Sequence, residues 1–209
     1  MRALERCAAN SMTPKLILTG FMATGKTSVG PLVAKRLGWE FVDVDTVIAA
    51  RAGKPIAQIF ADHGEAHFRR LEREAVAHLT SDRRRCPNCH GPHPEVISTG
   101  GGVLVDESNC AALKRVGVIV CLTARPEVIA ARVERSKAKR PKLTEGGKST
   151  LDRIKELMEE RADAYARADV HIDSSDLTVE QLAERIIAAF GEHAARRVLP
   201  SAQRCVPSA

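Results

Sequence analysis

Residues 16–30 read LILTGFMATGKTSVG: a short apolar run, a loop bounded by Gly20 and Gly25, and Lys26-Thr27-Ser28 opening a helical pattern. Strand, Gly-x-x-x-x-Gly-Lys-Thr loop and helix, in that order, are the parts of a P-loop. Glycines let the backbone turn tightly so that successive N–H groups face phosphate oxygens, and the helix that follows presents its positive N-terminal end to the same place. In this pattern Lys26 reaches the outer phosphates and the Thr27 hydroxyl ligates Mg²⁺. An ordinary glycine-rich βα turn is the bland alternative, and the flanking strand and helix argue against it.

The chain has 209 residues, enough for one well-buried domain and too few for two of typical size. No apolar run is long enough to span a bilayer, and the opening MRALERCAANSMTPK lacks the apolar core and cleavage site of a secretory leader. A soluble cytoplasmic protein is expected, with residues 1–14 as a dispensable extension and Met12 as an alternative start. A net charge of +6 invites a nucleic-acid reading, but only 3% of residues are aromatic and the basic residues are spread along the chain, so small anions explain the charge equally well. Six scattered cysteines in such a protein read as reduced thiols.

Beyond the P-loop, Val29, Leu32, Val33 and Leu37 recur at helical spacing, Gly38 marks a stop, and Pro31 predicts a mild kink. Residues 40–45, EFVDVD, read as a second strand whose Asp43 and Asp45 point the same way beyond its C-terminal edge, where ligands bind in open α/β sheets. Alternatively Asp45 caps a helix over 46–51. PIAQIF from Pro55 predicts a short helix, His63-Gly64 a break, and residues 65–79 a longer helix with Phe68, Leu71, Ala75 and Leu79 inward. Arg69 and Arg70 flank that stripe and read by pattern alone as solvated. Residues 95–99 form a buried strand ending in Gly100-Gly101-Gly102, a turn that a ligand or another backbone can approach closely. A helix over 106–116, a buried strand over 118–122 and a helix from Pro126 to Arg135 follow. Residues 136–149, polar and basic, have the composition of a lid. One helix over 151–166 carries Arg161 and Tyr165, then come a strand over 169–172, a helix over 179–190 and a flexible tail over 192–209. The alternation of strands and helices implies a parallel sheet covered on both faces.

Taken together, GFMATGKTSVGPLVAKRLG, FVDVDTVIAARAGKPIAQIFADHGEAHFRRLE, VISTGGGVL, RPKL and ERADAYARADVHID resemble the shikimate kinase family, in the right order and from about Lys15 to Gly191. The resemblance implies a three-layer α/β/α fold of P-loop kinase type, its five-stranded parallel sheet ordered 2-3-1-4-5. It implies transfer of the ATP γ-phosphoryl group to the 3-hydroxyl of shikimate, a step toward chorismate and the aromatic amino acids. On matching positions it assigns the nucleotide to Gly20, Ala23, Thr24, Gly25, Lys26, Thr27, Ser28, Arg135 and the lid residue Arg140. It assigns Mg²⁺ to Thr27 and Asp43, and the acid to Asp45, Arg69, Gly100, Gly101, Gly102 and Arg161. Lys26, Asp45 and Arg140 are the catalytic set it implies. The chemistry agrees: phosphoryl transfer spreads charge over oxygens that cations stabilise, and a guanidinium fork suits a planar carboxylate.

One segment departs from the family. The insert at residues 82–94 carries Cys86, Cys89, His90 and His93, a ligand set for zinc in principle. Structural zinc usually joins two separated ligand pairs, so an exposed loop is the favoured reading. Gluconate is the alternative acceptor, but gluconate kinase shares the P-loop and the lid arrangement and not the DxD, EAHFRRLE and TGGG segments. From other classes, a non-catalytic nucleotide-binding module would have no need of Asp43, Asp45 and Arg140, and an RNA-binding protein finds little support. The expected partners are ATP and the small acid, with no nucleic acid or membrane, and the protein acts as a monomer.

Overall fold

The apolar run before the glycine loop becomes the central strand of a parallel sheet. The computed structural model describes residues 15–81, 94–136 and 149–202. Along them run β1 (Lys15–Gly20), α1 (Lys26–Leu37), β2 (Glu40–Asp43), α2 (Val44–Ala52), α3 (Ile56–Leu79) and β3 (Glu95–Ser98). A 3-10 turn (Val103–Val105), α4 (Glu107–Val116), β4 (Gly117–Thr123), α5 (Pro126–Arg135), α6 (Thr150–Glu159), α7 (Ala162–Ala166), β5 (Val170–Asp173) and α8 (Val179–Ala202) complete them. The extension at 1–14, the four candidate zinc ligands Cys86, Cys89, His90 and His93, Arg140 and the end of the tail lie outside the described residues.

The strands are ordered β2-β3-β1-β4-β5 and every pair is parallel, the order that the family resemblance implies. Because successive side chains of a strand face opposite ways, β1 feeds two cores. Leu16 and Leu18 pack with Val29 and Val33 of α1 and with Leu182, Ile186 and Phe190 of α8. Ile17 packs on the other face with Ile48, Phe68, Val76 and Leu113 of α2, α3 and α4. A third cluster, Phe21, Ile129, Ile154 and Leu157, lies where the P-loop meets α5 and α6. All six residues of β1 are buried, as expected of a strand covered on both sides. At its start a buried ion pair, Lys15 Nζ to Glu95 Oε2 at 2.6 Å, ties β1 to β3, and the same ammonium donates to Leu79 O at the end of α3.

Several boundaries differ from the sequence reading. The second strand ends at Asp43, not Asp45: Asp43 Oδ1 accepts the N–H groups of Asp45 and Thr46 and so starts α2 two residues early. Asp43 is therefore the cap, and Asp45 sits in the first turn. The sequence predicts one helix over 151–166, yet the chain breaks between Glu159 and Ala162, leaving Arg161 as the N-cap of α7. The last helix passes Phe190 and runs to Ala202, with Trp39 set edge-on against Phe190 at 5.4 Å. Its start is a capping box in which Thr178 and Gln181 exchange side-chain to backbone hydrogen bonds. The break expected at His63-Gly64 is present inside α3, where Gly64 takes φ 75° and ψ −179°, a conformation open essentially to glycine alone. Pro31 is carried within α1, which continues to Leu37.

Candidate active site

The loop between β1 and α1 is held by its own polar groups. Thr24 Oγ1 donates to Phe21 O at 2.8 Å, and Lys26 Nζ donates to Gly20 O and Phe21 O, each at 2.8 Å. Gly20 has φ 125°, and a Cβ there would stand 2.1 Å from Leu122 O, so the strand end admits only glycine. No side chain caps α1 and no acid occupies its first turn, which leaves its N-terminal N–H groups and positive dipole end facing the loop. That combination favours an anion.

A cavity of about 380 Å³ opens over this loop, lined by Ala23, Thr24, Gly25, Lys26, Thr27 and Ser28 on one side and by Arg132, Ser174, Leu177, Val179 and Leu182 on the other. The nucleotide residues expected from the sequence thus share one cavity, except for three: Gly20, at the end of β1, is not part of its lining. Arg140 is outside the described residues, and Arg135 turns back to its own helix, donating from Nε to Ala131 O at 3.1 Å. One helical turn earlier, Arg132 reaches the cavity instead. Its guanidinium donates to Ala23 O at 3.2 Å and to Ser174 O at 2.7 Å, bridging the P-loop to the turn after β5. Nothing in the helical pattern of α5 separates Arg132 from Arg135, so only the fold could assign the cavity to one of them.

On the other side of the P-loop the glycine turn, α2, α3 and α7 converge. A Cβ on Gly100 would lie 3.3 Å from both Asp45 Oδ1 and Glu72 Oε1; one on Gly102 would strike the Arg69 guanidinium at 2.6 Å. A Cβ on Gly101 would lie 3.2 Å from Gly20 O and 3.4 Å from Arg161 Nη1. The turn is thus wedged between the two arginines, the two carboxylates and the P-loop. Arg69 binds Glu72 Oε2 at 2.7 Å and Glu65 Oε1 at 2.9 Å. Arg161 donates to Gly101 O at 3.4 Å and lies over the Phe21 ring. Arg70, in contrast, points away, against His67.

The electrostatics match the crowding. Burial, then the charges of Asp43 and Glu72, raise the Asp45 carboxyl to about 6, while Lys26 and Arg69 pull it down. Burial likewise raises Glu72, against the Arg69 charge. Asp45 Oδ1 and Glu72 Oε1 are both buried without a hydrogen-bond partner, two acceptors that meet at Gly100. Glu72 and Tyr165 escaped the sequence reading as site residues. The i+3 spacing of Glu72 from Arg69 was the signal available for the first. An anion-binding loop beside two arginines and two acceptor carboxylates can hold a polyphosphate next to a small hydroxylated acid. Among the described residues, no group of three or more His, Cys, Asp or Glu side chains is placed to hold a metal, and no helix is long and apolar enough to cross a membrane.

Comparisons with known proteins point the same way. The family model described as shikimate kinase matches residues 22–190. The shikimate kinase of Thermodesulfovibrio yellowstonii is 43% identical over 84% of this chain and 94% of its own length, and that of Caldanaerobacter subterraneus subsp. tengcongensis is 44% identical over 84% and 95%. Among solved structures, shikimate kinase from Acinetobacter baumannii in complex with shikimate superposes with a TM-score of 0.77 at 30% identity, covering 90% of this chain and 98% of that one. A gluconokinase from Sinorhizobium meliloti, at 15% identity and a TM-score of 0.54, shares the fold.

Proposed function

The chain belongs to the shikimate kinase family, and from that membership we propose that it transfers the γ-phosphoryl group of ATP to the 3-hydroxyl of shikimate, a step toward chorismate and the aromatic amino acids. The observation that carries this reading is the single cleft in which Asp45, Arg69, the glycine turn and Arg161 meet beside the P-loop. Arg69 and Arg161 clamp the carboxylate of the acid, with Gly100–Gly102 allowing its close approach. Asp45 orients the hydroxyls and accepts the proton of the attacking one, since a carboxyl near 6 is ionised at neutral pH yet basic enough to take a proton.

On the donor side Lys26 exchanges the carbonyls of Gly20 and Phe21 for phosphate oxygens, and Arg132 flanks the base-binding end of the cavity. Arg140 from the lid completes the charge stabilisation, as in the family motif. Mg²⁺ fits the residues present: Thr27 lines the cavity, and the charge of Asp43 lifts the Asp45 pKa, an excess of negative charge that a cation relieves. Thr27 and Asp43 would hold the ion, which supplies charge neutralisation on the polyphosphate. The enzyme works in the cytoplasm as a monomer.

A coupled assay of ADP release with shikimate, ATP and Mg²⁺, run beside gluconate, tests the reading. Turnover with shikimate alone supports it; none above background at millimolar shikimate overturns it. Lys26→Ala is expected to abolish turnover. Arg69→Ala or Arg161→Ala is expected to raise the KM for the acid by roughly tenfold or more, the loss of a charge-assisted pair. ATP binding without acid binding by calorimetry would instead identify a nucleotide-binding module.

A further inference from the structure

Tyr165, the only tyrosine of the chain, is not part of the P-loop cavity lining, yet it sits beside two parts of the acid clamp, Gly101 and Arg161. Its hydroxyl donates to Gly101 O at 2.6 Å, a short bond, while Arg161 Nη1 approaches the same carbonyl at 3.4 Å. The Arg161 guanidinium also donates toward the phenol oxygen. We propose that Tyr165 is a positioning residue for carboxylate recognition, holding the Gly101 carbonyl so that the glycine turn and Arg161 both face the acid. The proposal rests on the shikimate kinase reading and deepens it.

Two features of the geometry give Tyr165 this role. A peptide unit is planar and trans, so a carbonyl fixed toward Tyr165 fixes the N–H of Gly102 on the opposite side, away from the phenol. Gly102 is the residue against which Arg69 packs. One hydrogen bond therefore sets the orientation of the turn relative to both arginines. Secondly, Tyr165 is the stronger claimant on the Gly101 oxygen. Without its hydroxyl, Arg161 would be the nearest donor to that oxygen and would be drawn onto it, which removes guanidinium N–H groups from the substrate carboxylate. The body of the side chain is locked in place: Tyr165 packs against the cluster of Phe21, Ile154 and Leu157, one turn from Arg161 on the same short helix. Burial pushes the phenol up to about 12, so it remains a donor over the working pH range.

Tyr165→Phe retains that packing and deletes only the hydroxyl. The expected result is a KM for shikimate raised about tenfold, with kcat changed less than about threefold and the KM for ATP unchanged. A shikimate analogue with its carboxylate reduced to the alcohol should be handled equally by parent and variant, because the lost contacts act on the carboxylate. A KM for shikimate within about twofold of the parent, or an equal loss on both substrates, overturns the role of Tyr165. A parent that does not turn over shikimate overturns the enzymatic reading and this proposal with it; an active parent beside an unaltered variant overturns the proposal alone. Should the variant not fold, 3-fluorotyrosine incorporated into the parent gives a single ¹⁹F resonance. That resonance is expected to shift on saturation with shikimate, and an unmoved line refutes the proposal.

Discussion

Asp45 owes its place to the residue two before it. Because Asp43 caps α2, the chain turns into a helix early and Asp45 swings into the cleft, beside Glu72 and across from Lys26 and Arg69. Holding a charge there costs stability. The folded carboxyl titrates near 6, above its unfolded value of 3.8, so its contribution to stability is fully present below about pH 4 and lost as the pH rises through about 6. Asp45→Asn is therefore expected to unfold at higher temperature than the parent at pH 8, by roughly 2 kcal/mol of stability, with the difference vanishing by about pH 4. The same variant should lose activity, a trade between function and stability that thermal melts and rates across pH would expose. In the parent, kcat/KM should rise with pH along a limb centred near 6.

At the scale of elements, two glycines of similar appearance in the sequence do different work. Gly20 ends β1 against backbone: an added Cβ would meet Leu122 O at 2.1 Å, and nothing there can give without moving β4. Gly102 ends the glycine turn against the far end of a side chain, the Arg69 guanidinium at 2.6 Å. Gly20→Ala is expected to cost about 3 kcal/mol or more, through strain at a positive φ and displaced strand ends, read as a lower midpoint in urea. Gly102→Ala should stay within about 1 kcal/mol of the parent while raising the KM for the acid, because it pushes Arg69 aside rather than the fold. The break between α6 and α7 is a functional counterpart: it places Arg161 at a helix start, over the Phe21 ring, where a continuous helix would carry it elsewhere.

Across the whole molecule, the buried pair Lys15–Glu95 joins the first described residue of β1, the start of β3 and, through Leu79 O, the end of α3. It closes the end of the sheet away from the cleft, where the insert leaves and returns. Lys15→Met alone should destabilise by about 3–5 kcal/mol, since it removes the ammonium that pairs with a buried carboxylate at 2.6 Å. The double change Lys15→Met with Glu95→Leu is expected to recover most of that loss, because apolar residues of similar size need no desolvation of charge. Urea denaturation of the two variants beside the parent distinguishes a pair that stabilises from one that only avoids a penalty.

The sequence by itself determined the P-loop with its Lys26 and the parallel α/β architecture, each encoded locally in a motif, a period or a spacing. Arg69, the glycine turn and Arg161 were legible as candidates only through the resemblance to the family, because by pattern alone an arginine beside an apolar stripe reads as solvated. Tertiary structure alone decided which arginine of α5 faces the cavity, since Arg132 and Arg135 lie three residues apart and only packing against Ala23 and Ser174 separates them. It also decided that Asp43 caps while Asp45 packs against the glycine turn, and that Glu72 and Tyr165 meet the same turn. Those assignments depend on contacts such as Tyr165 with Gly101, 64 residues apart in sequence, and on burial, which raises the Asp45 and Glu72 carboxyls only once the chain has closed around them. Desolvation is a property of the folded surroundings, and no spacing of residues along a chain contains it.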